Sequence, residues 1–323
     1  MRSSLKVADA RSIRVRYRMP LFLNESAARR QFKDVLGNAN HLIITILVGL
    51  YAVEQRFIST CPAELRTAWN PKDSTASANR SRVMMLQMSL VRATDALDIY
   101  LALARRKPAL IQNPTQQQKM DASGHSVFGK FVVMRDACLS VAPVIAALVE
   151  VMIAWRNRQV HSLADNQVSP SSWETLRTNA TWVKDEFRGM EIDRLFADFS
   201  KEAPPSFKEI ASFIRATQEA VRIMDAYLLK HLEPQSFLKQ LIQEYSLKGN
   251  AGEDREKLRK RCIQSIWGRD ASDRKQRVIS FLKNCGLSLS ATDENSSTTF
   301  PDNLITELSD MTPSEVGNWL SLN

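Results

Sequence analysis

The sequence is poor in residues that punctuate or cross-link a chain: its 323 residues include Gly 10, Pro 12 and Cys 4. So little glycine and proline excludes collagen-like and low-complexity classes, and the aromatic share of 7% argues against wholesale disorder. The cysteines, at 61, 138, 262 and 285, form no CxxC and lie near no histidine at metal-ligand spacing. A disulfide framework is not expected in a chain this large; four inert buried thiols in a reducing, cytoplasmic compartment are. Long apolar runs are missing as well. The longest uncharged ones, 42–53 and 137–149, fall short of the roughly 18–20 residues that a membrane-spanning helix needs. The first 20 residues carry no apolar stretch of a secretory signal, so no membrane partner is expected.

Several reaction classes lack their signatures too. There is no GxxxxGK[ST], no GxGxxG after a strand, no HExxH and no GxSxG. The four histidines, His41, His125, His161 and His231, are far apart, which gives no ready metal site. No metal and no other cofactor is expected.

What the chain does have is length, charge and helical periodicity. It is long enough for a sizeable core in one large or two smaller domains. The net charge is +9, and it is uneven: residues 1–36 carry net +6, residues 250–283 net +5, and the remainder is close to neutral. Two basic segments suit a polyanion, although solvated faces account for them equally well. Residues 25–59 read as one long helix or a broken pair, weakened by Gly37 and Gly49. Residues 67–81 and 107–126 read as loops, with a helix over 82–106 between them. A third long helix covers 128–162, kinked or split by Pro143.

Further on, Pro170 opens a helix to about residue 199. Ser206 and Glu209 form a capping box for a helix to 231. Shorter helices are predicted at 235–247, 254–267 and 272–285. The box Thr312/Glu315 starts a last one. The alternation in 12–18 suits a lone strand or an extended arm. The expected fold class is all-α: a helical bundle over 25–232, between a basic N-terminal arm (1–24) and a small helical C-terminal annex (233–323).

One constellation carries chemistry. In AWRNRQVHS, Arg156, Asn157 and His161 sit near the end of the third long helix. At 100° per residue, Val144, Leu148, Val151 and Trp155 form a core-facing seam. Asn157 and His161 share another face with Glu150, Ala146 and Ala154, and Arg156 lies between the two. A histidine moves protons near neutrality, and an arginine grips phosphate oxygens with two parallel donors. The pair suits attack of a ribose 2′-hydroxyl on its own phosphate, with His161 handling the proton and Arg156 stabilising the charge on phosphorus. Such a reaction needs RNA. The alanines would let the same helix of a second subunit approach across a two-fold axis and bring two Arg/His sets into one cleft. The spacing alone is a weak signal, and a basic helix end complementing its dipole gives the same residues.

The adjacent Arg-Asn, the valine before the histidine and the small polar residue after it resemble the RNxxxH form of the motif of the HEPN superfamily, most clearly over residues 80–165. The resemblance implies a HEPN-like bundle and a metal-independent endoribonuclease, with the cleft at the interface of a homodimer formed through the Arg156–His161 helix. It implies catalytic roles for Arg156 and His161 and a positioning role for Asn157. It also implies a prokaryotic toxin or anti-phage effector, with an antitoxin or other defence-system protein as partner. Family members often place a polar residue near the site; Asp95, Asp98 and Glu150 are the candidates here, against an ordinary surface ion pair of Arg92 with Asp95. Some relatives carry a tyrosine two residues after the histidine, where a partner enzyme modifies them; Leu163 stands there in this chain. RNA contacts are expected from Arg158 and from Arg14, Arg16 and Arg18. The alternative is a non-catalytic HEPN-like helical module that binds nucleic acid or a partner protein.

Overall fold

A computed structural model describes residues 20–58, 60–160, 167–247, 254–268, 270–293 and 296–321. Most of the described residues are helical, and the sheet among them has two short strands. A short strand, β1 (Leu21–Leu23), leads into α1 (Ala27–Leu36) and α2 (Ala39–Glu54); the predicted long helix breaks at Gly37 and Asn38. α3 (Ser74–Arg105) starts at Ser74 rather than at 82, because the Asp73 carboxylate accepts from the Ala76 N–H and caps a polar first turn. α4 (Pro114–Ala122) occupies the middle of the second predicted loop, capped by Asn113 with a proline in its first turn.

Pro143 does split the third long helix, into α5 (Val127–Ala137) and α6 (Pro143–Val160). The helix expected over 170–199 is three: α7 (Pro170–Thr178), α8 (Ala180–Glu186) and α9 (Ile192–Ser200). A turn with positive φ at Arg188 and Gly189 separates the last two. The Ser206/Glu209 box forms in full and starts α10 (Phe207–Lys230). Then come α11 (Pro234–Ser246), α12 (Arg255–Trp267), α13 (Ala271–Asn284), β2 (Thr298–Phe300), α14 (Asp302–Asp310) and α15 (Pro313–Ser321).

α6 is the axis of the molecule. It packs against α10, α7, α3 and α5, and every residue from Val144 to Trp155 is buried. The Val144/Leu148/Val151/Trp155 seam faces the core as the period predicts. The opposite face, with Ala146, Glu150 and Ala154, is buried as well, so the helix is enclosed on all sides rather than amphipathic.

The two ends of the chain are joined. β1 pairs antiparallel with β2, Leu21 opposite Phe300, and Phe22 exchanges backbone hydrogen bonds of 2.9 and 2.8 Å with Ser288. Residues 21–23 are therefore a strand of the C-terminal region, not the end of an arm. The annex does not stand apart either: Phe237 packs on Phe300 and the Thr298 hydroxyl donates to the Leu229 carbonyl. One apolar core runs from Leu21 to Leu320, so residues 24 and 232 mark no break in it. Of the four free thiols only Cys138 is buried; Cys61, Cys262 and Cys285 are partly exposed.

One buried carboxylate ties α1 to α10. Asp225 is fully enclosed; it accepts from the Ser26 N–H at 3.2 Å and from the Ser26 hydroxyl, while that hydroxyl oxygen caps α1. Burial pushes the Asp225 carboxyl up, and the two Ser26 hydrogen bonds pull only part of the way back. A folded-state value above the unfolded one means that this group favours folding below the ordinary carboxylate range, and that the benefit is lost as pH rises through the raised value. Asp225→Asn keeps the size of the side chain and removes the titration. The stability of the variant relative to wild type, read from urea midpoints between pH 4 and 8, should rise with pH; a flat difference contradicts the assignment.

Candidate functional site

The last turn of α6 is where the buried axis reaches the surface. Trp155 anchors it: the indole is 1% exposed, meets Phe199 and Phe213 edge-on at 5.7 and 6.1 Å, and donates to the Ala203 carbonyl at 3.2 Å. With Trp155 fixed, Arg156 is delivered to a half-buried position with 20% of its side chain exposed.

Its guanidinium lies between two helices. Nη1 donates to Asn157 Oδ1 at 3.1 Å, and Nη2 lies 3.5 Å from Asp95 Oδ1 on α3. Nε is buried without any hydrogen-bond partner. Asp98, the other candidate on α3, turns away to Lys130 at 2.7 Å. Arg92 gives its Nε–H to the Val35 carbonyl rather than pairing with Asp95. Asp95 and Arg156 are thus brought together across α3 and α6.

Gln159, which sequence reasoning passed over, belongs to the same turn. Both atoms of its amide are buried without a partner. It follows Arg156 by three residues, on a neighbouring part of the helix surface. A buried polar atom left without a partner costs about 1–3 kcal/mol; the Tyr100 hydroxyl and the Nε of Arg105 and Arg259 are in the same position elsewhere in the fold. The only local signal was the polar run RNRQ at the end of an otherwise apolar helix.

The other candidates have different roles or lie elsewhere. Arg158 is occupied structurally: its guanidinium stacks 4.0 Å over the Phe199 ring and donates to the Phe199 carbonyl at 3.3 Å. Glu150 is 2% exposed and far from an open surface. It accepts from the Ser169 N–H at 2.7 Å and from the Ser172 hydroxyl at 2.6 Å, satisfying the start of α7. That corrects the expected face shared with Asn157: the small residues of α6 admit close approach, but α7 of the same chain takes the place, so residues 144–155 offer nothing to a second subunit. His161, Arg14, Arg16 and Arg18 lie outside the described residues.

Glu150 also holds the N-terminal end of α7. Glu150→Ala strands the Ser169 N–H and the Ser172 hydroxyl in a dry site and should cost about 2 kcal/mol; Glu150→Gln, which keeps an acceptor, should cost about half as much. Thermal unfolding of the two variants checks the order.

Chemically, the turn offers a guanidinium whose in-plane edge points at a carboxylate with 54% of its side chain exposed. An ion pair this open contributes little. No family model, no curated protein and no solved structure matches the chain.

Proposed function

We propose that the chain is a metal-independent endoribonuclease of HEPN type, acting in the cytoplasm as a toxin or anti-phage effector. The observation that carries the reading is the Arg156 guanidinium, half-buried at the end of α6 beside Asp95 and Asn157, with its Nε and the Gln159 amide unsatisfied. In sequence it opens the segment Arg156-Asn157-Arg158-Gln159-Val160-His161.

The ribose 2′-oxygen attacks the adjacent phosphorus as His161 accepts its proton. The bond from phosphorus to the 5′-oxygen breaks, and that oxygen leaves with a proton from solvent water. One product ends in a 2′,3′-cyclic phosphate and the other in a 5′-hydroxyl. Arg156 holds the non-bridging oxygens and stabilises the extra charge that develops on them. Asn157 keeps the guanidinium plane in place, and Asp95 occupies it until a phosphate arrives. An antitoxin or other partner protein would restrain the activity.

Purified full-length chain should cut RNA in the presence of EDTA, and His161→Ala should stop it while the helical circular dichroism is unchanged. Equal cutting by both proteins contradicts the reading.

A second reading rests on α12. Arg255, Lys257, Lys260 and Arg261 are exposed there, and Arg259 joins Lys260 and Arg261 along a groove against α15. That surface suits a non-catalytic module which holds nucleic acid through its phosphates. It predicts salt-sensitive binding that His161→Ala leaves unchanged, and no cleavage.

A further inference from the structure

We propose that a groove along α10 holds single-stranded RNA, as a binding surface apart from the Arg156 turn. Two cavities adjoin there, of about 690 and 600 Å³, and Arg222 and Ile223 line both. From Arg215 to His231 the α10 residues that line them recur at steps of three and four, so they share one side of the helix. That side rises about 24 Å. α1 bounds it through Phe32 and Lys33, α8 through Trp182, and the turn between α5 and α6 through Ser140 and Ala142. The groove also reaches Ile145, about 17 Å along α6 from Arg156.

Cations and aromatic rings lie together in this groove. Five lysine and arginine side chains line it against three carboxylates. Lys33, Arg215 and Arg222 each keep more than half of the side chain exposed, and Lys230 is exposed as well. Glu186 and Glu219 pair with Arg215 and Arg222 at 2.9 and 2.6 Å; the balance that remains is positive. Trp182 is 42% exposed, the most open of the six tryptophans, and meets Phe187 edge-on at 5.7 Å. At the other end, His231 stacks on Tyr227 with ring centroids 4.3 Å apart, and its Nδ1–H donates to the Tyr227 carbonyl at 2.8 Å.

Rings set among cations suit an unpaired strand, whose bases stack on the rings while its phosphates lie against the charges. A duplex keeps its bases stacked on one another and has little use for such rings. An acidic protein segment accounts for the cations but not for aromatic groups at both ends. That the strand is RNA rests on the ribonuclease reading above; binding is therefore measured apart from cutting.

Fluorescence anisotropy of the full chain with a labelled 2′-O-methyl oligouridylate of about twelve nucleotides tests the groove, because a strand without free 2′-hydroxyls cannot be cut by the proposed chemistry. Wild type should bind, and the affinity should fall as salt rises. Lys33→Ala with Lys230→Ala should weaken binding at least about tenfold and reduce the slope of log affinity against log salt by about 1.4. Both lysines are exposed, so circular dichroism should not change. Trp182→Ala should weaken binding about five- to a hundredfold and leave the salt slope as it is. Absence of binding by wild type at low salt overturns the proposal. So does binding that the lysine pair leaves unchanged, or that is lost instead with Lys257→Ala and Lys260→Ala on α12. Equal affinity for polyglutamate, or for a duplex of the same length, overturns it too. A chain that binds through the groove and never cuts RNA supports the groove and contradicts the ribonuclease reading; a chain that cuts in EDTA without binding there does the reverse.

Discussion

Arg156→Ala should lower RNA cleavage by about a hundred- to a thousandfold and leave the fold standing. The size follows from the proposed mechanism, in which Arg156 is a fixed cation aimed at the oxygens on which charge develops, an interaction whose loss typically costs that much. The fold should survive because the guanidinium sits at the end of α6, while its buried part is held by Trp155 one residue earlier. Arg156→Lys keeps the charge but loses the planar pair of donors, so it should recover only a small part of the rate. Asp95→Asn removes the carboxylate beside the guanidinium, which in the proposed mechanism competes with phosphate; it should change the rate less than tenfold and tighten RNA binding at low salt. These four proteins, compared in one assay with EDTA present, separate charge, geometry and competition. Wild-type cleavage by Arg156→Ala removes the guanidinium from the mechanism.

Trp155→Ala should be the most destabilising single substitution near the site, at about 3–5 kcal/mol. The indole fills the space between Phe199 on α9 and Phe213 on α10, and its N–H satisfies the Ala203 carbonyl between those two helices. Alanine leaves a cavity and a stranded carbonyl together. Trp155→Phe fills most of the volume and loses the hydrogen bond and part of the packing, so it should cost about 1–2 kcal/mol. Urea unfolding of the three proteins gives the order. Because Trp155 sets the position of the next residue, Trp155→Phe should also reduce cleavage while the chain remains folded. A tryptophan that tolerates alanine would mean that the end of α6 is not anchored as described.

How much of this was legible in the sequence depended on whether the cause was local. Caps and breakers act within a few residues, and they read correctly: Pro143 splits the third helix, the Ser206/Glu209 box starts α10, and Thr312 with Glu315 starts α15. Polar composition misled where a cap overrode it, at the start of α3 behind Asp73 and in α4 behind Asn113. Pairing of Leu21–Leu23 with Thr298–Phe300 joins segments more than 270 residues apart, and three-residue strands have no period to detect.

The site divides the same way. Helical spacing put Arg156 at the end of a buried helix, and it offered Asp95 and Asp98 as equals; only the packing of α3 on α6 sends one to Arg156 and the other to Lys130. Spacing also showed a small-residue face on α6 suited to a close neighbour. It could not say that the neighbour would be α7 of the same chain, because the bonds of Ser169 and Ser172 to Glu150 are set by tertiary packing, not by spacing along one helix. Gln159 escaped notice because an amide in a polar run looks solvated until its surroundings are known.

The central claim is that this chain breaks RNA through its own 2′-hydroxyl without help from a cation, and the ends of the product test that most directly. Full-length wild-type protein should be incubated with a labelled RNA in excess EDTA and the fragments analysed by mass spectrometry. The account predicts fragments with 2′,3′-cyclic phosphate on one side of each cut and 5′-hydroxyl on the other. Cutting that appears only with added magnesium and leaves 3′-hydroxyl and 5′-phosphate ends contradicts it.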